Sequence, residues 1–160
     1  MRKATAIILN LFLIFLLNSC SNSEDTNDKI PEGLIVEING KITAFEPEII
    51  EYVYDKGSIN EYTELTIIGN IGNIENSNER IFISLNKGKT GSDAIHKFLY
   101  INSKKEDHHY DSQDKKEFNF TSNTLINNSE KKLEGRFSGI LLAANKETST
   151  ELKGTFNIHY

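Results

Sequence analysis

Residues 131–143 read KKLEGRFSGILLA and residues 151–160 read ELKGTFNIHY. Both carry the pattern Leu-x-Gly-x-Phe, as Leu133-Glu134-Gly135-Arg136-Phe137 and as Leu152-Lys153-Gly154-Thr155-Phe156. A period of two sorts each run cleanly. Leu133, Gly135, Phe137, Gly139 and Leu141 share one face, as do Leu152, Gly154, Phe156, Ile158 and Tyr160. The other side of the last run, Glu151, Lys153, Thr155, Asn157 and His159, is wholly polar. Half-buried strands with water on one side have this pattern, so the two runs predict an antiparallel hairpin. A turn centred on Lys146-Glu147 would set Phe137 opposite Phe156, Gly139 opposite Gly154, Leu141 opposite Leu152 and Glu134 opposite His159. A one-residue slip would turn half of these apolar groups to water. The glycines would let the strands coil tightly, with aromatic rings covering them.

The same texture runs back to residue 34. Residues 34–38 (LIVEI) and 41–45 (KITAF) flank Asn39-Gly40, the strongest short hairpin signal, because both turn residues tolerate positive φ. Pro47 is expected to end or offset that pairing. Further runs at 49–54, 62–68, 80–85, 96–101 and 116–121 are rich in Val, Ile, Tyr and Phe, the residues that suit a pleated surface. That makes about nine strands. Their connections leave no room for crossover helices, so the pairing must be antiparallel. The expected fold is all-β, an antiparallel β-sandwich or partly open up-and-down barrel formed by a single domain over residues 34–160.

The first 20 residues are of another kind. Arg2 and Lys3 precede an apolar stretch, Ala4 to Leu17, interrupted only by Thr5 and Asn10. It is shorter than the about 20 residues of a spanning helix and reads as a signal peptide, residues 1–19. Leu17-Asn18-Ser19-Cys20 closes it, and Cys20 is the only cysteine. This tetrapeptide resembles the bacterial lipobox. The resemblance implies diacylglycerol on the Cys20 thiol, cleavage before Cys20, further acylation with palmitate-type chains, and attachment to a membrane through them. Residue 21 is Ser, not the Asp that favours inner-membrane retention, so an outer-membrane lipoprotein facing periplasm or cell surface is expected. Residues 20–33 read as the lipidated Cys and a flexible acidic tether, because residues 21–28 hold no apolar side chain and cannot order themselves by burial.

The C-terminal Gly-x-Phe hairpin, the lipobox, the polar tether and the passage Leu65-Thr66-Ile67-Ile68-Gly69 with Ile81-Phe82-Ile83-Ser84-Leu85 together resemble small β-rich lipoproteins of Bacteroidota grouped as domains of unknown function. The resemblance implies a cell-envelope address and a β-domain, and it implies no site.

Charge excludes some partners. The chain carries −5, and without Arg2 and Lys3 the remainder carries −7. Nucleic-acid binding needs a basic stripe, which is missing, and docking on anionic lipid needs clustered Lys and Arg.

Candidate chemistry is sparse. Residues 106–114 (EDHHYDSQD) are the densest cluster of metal-type ligands, with His108, His109 and Asp111 the candidates for zinc. Asp107, Asp111 and Asp114 suggest calcium but lack the EF-hand order. In an extended segment His108 and His109 would point to opposite sides, and the segment reads as a solvated loop between the strands at 96–101 and 116–121. Gly88-Lys89-Thr90 lacks the rest of a P-loop and reads as a turn. Ser138 lies mid-strand rather than on a nucleophile elbow. Tyr52, Tyr54 and Tyr62 suit a sugar or peptide surface but read as core or edge packing. No catalytic residue and no cofactor is expected. The leading expectation is a lipid-anchored binding or accessory module with an unknown protein or ligand partner. The alternatives are a metal-dependent hydrolase using the 106–114 segment, an immunity or inhibitor-type protein, and a carrier of small ligands.

Overall fold

A computed structural model describes residues 29–71, 78–114, 119–128, 130–143 and 147–160. Its nine strands are β1 (Gly33–Ile38), β2 (Lys41–Tyr54), β3 (Tyr62–Asn70), β4 (Arg80–Asn86), β5 (Ile95–Ile101), β6 (Asp107–Asp111), β7 (Asn119–Asn127), β8 (Lys132–Ala143) and β9 (Ser149–His159). All pair antiparallel in the order β6-β5-β4-β3-β2-β1-β9-β8-β7. β6 also meets β8, His108 opposite Ala143 and His109 opposite Leu142. Eight strands therefore close an up-and-down barrel, and β7 is added along the edge of β8. Continuing the β6 register would set Asp111 opposite Ile140, but Asn119, eight residues on, takes that place. β6 and β7 thus lie end to end along one edge of β8.

The two faces sort as the alternation predicts. Leu34, Val36, Leu65, Ile67, Ile81, Ile83, Leu133, Leu141, Leu152 and Phe156 are all within 1 % of complete burial, in one cluster that fills the barrel. Asn39 (φ 48°) and Gly40 (φ 81°) form the two-residue turn between Ile38 and Lys41, the type I′ geometry that suits the right-handed twist of a hairpin.

The C-terminal hairpin keeps its predicted face but not its predicted register. Phe137 lies opposite Gly154, Gly135 opposite Phe156 and Gly139 opposite Leu152, while Glu134 faces Asn157 rather than His159. The shift is two residues, which leaves the inward set unchanged. Each glycine makes room for a ring: a Cβ on Gly154 would sit 2.7 Å from Phe137 Cζ, and one on Gly139 would sit 3.0 Å from Phe120 Cδ2. Phe156 lies over Gly135 in the same way. Two rings directly opposite each other, with two glycines opposite each other beside them, would crowd one rung and empty the next. The rings then stack across the strands, Tyr110 on Phe120 at 4.4 Å, Phe120 on Phe137 at 6.4 Å and Phe137 on Phe156 at 6.5 Å.

The pairing of β1 with β2 stops at Phe45, just before Pro47, as expected. Two further expectations are corrected. Residues 41–45 and 49–54, read as two strands, form one. β2 is continuous, pairing with β1 through Phe45 and with β3 from Glu46 to Tyr54, and Pro47 lies opposite Gly69. β1 has run out at that point, so the missing N–H of Pro47 leaves no ladder partner waiting on that side. Residues 107–111, read as loop, are β6. The count of nine survives because one strand gained offsets two that merge. The folded body also reaches ahead of residue 34: Ile30 is buried, and its carbonyl accepts from Asn157 Nδ2 at 2.8 Å.

Candidate functional site

β6 pairs with β5 from Lys97–Asp111 to Ile101–Asp107, and this extended geometry parts the two histidines. His108 turns into the barrel, where it is buried. Its Nδ1 lies 3.2 Å from Thr150 Oγ1, and Nε2 is 3.5 Å from Asn102 Nδ2. Burial lowers its pKa below the ordinary 6.5, with Glu106 and Asp107 pulling the other way. His109 and Asp111 turn outward and line an open cleft of about 390 Å3 with Thr66, Ser84 and Lys97. The structure therefore does not bring His108, His109 and Asp111 together. Among the described residues no three His, Cys, Asp or Glu side chains gather as metal ligands. Asp107 is exposed, and the side chain of Asp114 lies outside the described residues, as does Cys20 with the whole leader and tether through residue 28.

A polar line escaped the sequence reading. His96 Nε2 lies 2.8 Å from Glu64 Oε2, Thr66 Oγ1 donates to Glu64 Oε1 at 3.5 Å, and Thr66 Oγ1 and Ser84 Oγ are 3.2 Å apart. The pieces come from β3, β4 and β5, so no local spacing announces them. Their order does not suit nucleophilic catalysis, which needs the hydroxyl on the imidazole. Here Thr66 Oγ1 reaches the carboxylate instead, and Ser84 Oγ reaches Thr66. Ser138 points outward and lies 3.0 Å from Thr121 Oγ1. Gly88 has positive φ (82°), and Lys89 N donates to Asn86 O, the expected turn.

Two surface features remain. The first is an open groove of about 570 Å3 on the outside of the β1-β9-β8-β7 wall, lined by Ile35, Ile42, Asn123, Arg136, Lys153 and Thr155 among others. Lys153 Nζ pairs with Glu37 at 2.9 Å on its margin. The second is the far end of the β2–β3 hairpin. The last rung joining β3 to β4 is Glu64–Asn86, and beyond it the hairpin runs on as a two-stranded arm. Tyr52, Val53, Tyr54, Ile59 and Tyr62 are all exposed there. The tyrosines were expected in core or edge packing. Instead they stand outside, Tyr54 stacked on Tyr62 at 4.9 Å. The nearby Glu64 carboxylate raises the pKa of the Tyr54 phenol.

No protein-family model, no curated protein and no solved structure matches this chain. The reading of its function therefore rests on its own residues.

Proposed function

We propose that the chain is a lipid-anchored, non-catalytic β-barrel of the bacterial cell envelope, acting as a binding or accessory module through its outer surface. The anchor would be acyl chains on Cys20 and the address the outer membrane, in keeping with the lipobox-like Leu17-Asn18-Ser19-Cys20 and Ser21. Its likeness to small Bacteroidota lipoproteins belongs to the same proposal.

The observation that carries the non-catalytic, surface-acting part is the occupancy of the interior. Seventeen buried side chains form one cluster inside the barrel, and the clefts of about 570 and 390 Å3 described above open on its outside. Carriers of the same architecture hold their ligand within the strands, and here that space is taken by Phe98, Phe137, Phe156 and their neighbours. The hydrolase alternative loses support because His109 and Asp111 share their cleft with no third metal-type ligand among the described residues. Nothing observed favours the inhibitor-type reading over the general one.

The anchoring is tested by growing cells that express the full chain with an alkyne-tagged fatty acid. The wild-type protein should take up the tag and fractionate with membranes, and Cys20→Ala should do neither. A wild-type protein without tag, released as a soluble species, would refute the anchored reading.

A further inference from the structure

The two ends of the barrel differ, and the arm lies at the end where the chain enters. Lys87 Nζ binds Glu51 at 3.0 Å, at the root of the arm. The same Lys87 and Glu51 act electrostatically on Tyr160, whose N–H donates to Lys131 O at 2.9 Å. Lys132 and His159 in turn line a cleft with Lys29 and Ile30. A chain of contacts thus runs across one end from the arm to the first described residues. The Asn39-Gly40 turn and the Asn102–Glu106 turn sit at the other end.

Distance gives this polarity a consequence. Lys29 lies nine residue steps beyond Cys20. Nine steps of flexible coil would span about 16 Å, and fully stretched about 30 Å. A strand the length of β8 rises about 30 Å along a barrel axis once tilted. A chain moored at Cys20 would therefore bring the arm's end to the bilayer more readily than the opposite end, which only a fully stretched tether would reach.

We infer that the β2–β3 arm is a membrane-surface foot, with Ile59 entering the headgroup region of a zwitterionic lipid surface and Tyr52, Tyr54 and Tyr62 lying at its level. The inference rests on the anchored reading for its geometry. Ile59 is fully exposed at the apex, with 101 % of its reference surface open. The tyrosines stand behind it, and amphipathic rings of this kind settle at membrane interfaces. Four of the loop's backbone N–H groups are bonded within it. Ser58 N donates to Asp55 O, Glu61 N to Ser58 O, Gly57 N to Glu61 Oε2 (2.6 Å) and Asn60 N to Ser58 Oγ. Internal bonds lower the cost of bringing this backbone near a lipid surface, while the charged side chains stay in water. The charges on the tip are Asp55, Lys56 and Glu61, a net of −1, so apolar partition rather than attraction to anionic lipid is the expected force.

The chain has no tryptophan and a single cysteine, which makes the test clean. The chain from Cys20 onward, carrying every described residue, is coupled through that thiol to a maleimide-bearing phospholipid in phosphatidylcholine vesicles with brominated acyl chains. One variant is Ile59→Trp. The control is Ile42→Trp, a site 71 % exposed beside the opposite turn. The probe at 59 should move to the blue and lose at least about half of its emission, as an interfacial side chain does, while the probe at 42 stays unquenched. Equal quenching of the two overturns the inference. So does a probe at 59 already shifted in vesicle-free buffer with a doubled mass, which would assign the arm to a second copy. Because the coupling is chemical, the result stands whether or not cells acylate Cys20. The acylation is read separately, from the mass of the Cys20 peptide isolated from envelopes.

Discussion

Replacing Gly154 by alanine should damage the barrel more than the size of a methyl group suggests. The added Cβ would lie 2.6 Å from the carbonyl oxygen of Ile35 and 2.7 Å from Phe137 Cζ, against an optimum of about 3.5–4.0 Å between carbon atoms. The ring has little freedom to retreat, since Phe137 packs on Phe98 at 5.0 Å and between Phe120 and Phe156. The carbonyl has less, because Ile35 sits in the ladder opposite Thr155. Overpacking typically costs about 1–3 kcal/mol, and contact with a fixed backbone atom places this case near the top, about 3 kcal/mol. At about 2–4 °C per kcal/mol for a chain of this size, Tm should fall by about 6–12 °C, and the urea midpoint should fall with an unchanged slope. Circular dichroism on the two proteins reads both. Adding Phe137→Leu to Gly154→Ala should recover little, because the carbonyl contact remains. A fall in Tm below about 2 °C for Gly154→Ala would refute the close-approach account.

Other outcomes follow from the turn and from the buried imidazole. Gly40→Ala forces an L residue to a φ of 81° and should cost about 1 kcal/mol, seen as a small loss in the same melts; no loss would mean that the turn differs from type I′. Burial holds the pKa of His108 below 6.5, so below about pH 6.5 the unfolded chain binds a proton that the folded one does not. Stability should therefore fall as pH drops from about 6.5 toward the folded value and be unaffected by this residue above it. Urea unfolding across that range should show the extra slope in the wild type and not in His108→Gln, and parallel curves would contradict it.

The sequence made faces legible and left registers and seams obscure. The alternation in residues 133–141 and 152–160 fixes which side chains turn inward, and the structure keeps all of them inside. It does not choose between registers two residues apart, since both keep the parity. The choice falls to the space that a missing Cβ leaves for a ring, and this depends on a third strand, where Ile35 O closes on Gly154. β6 was hidden for a related reason. Of Asp107, His108, His109, Tyr110 and Asp111, the two that turn inward are His108 and Tyr110, an imidazole and a phenol rather than the aliphatic side chains that mark a strand. The runs at 41–45 and 49–54 read as two strands because β2 changes partner beside Pro47, from β1 to β3, which a single sequence does not show. The Glu64–His96 pair joins residues 32 apart, and only the β3-β4-β5 register brings them together.

Several buried or half-buried polar side chains gather where the ladder is weakest. Among the described residues two pairs join β6 to β8, and one bridge, Gly91–Thr124, joins β7 to the β4–β5 connection. At the first place the imidazole of His108 on β6 reaches Thr150 on β9. Along the second, Asn127 Nδ2 donates to Asn86 O at 2.9 Å and to Lys89 O at 3.0 Å, and Ser122 Oγ donates to Ser92 O at 2.9 Å. A seam with few backbone bonds exposes its edges to water unless side chains cover them. Hydrogen bonds from His108, Ser122 and Asn127 do so from three directions. Their residue types thus answer to closure of the barrel, and the groove over β9 and the arm lie outside that closure.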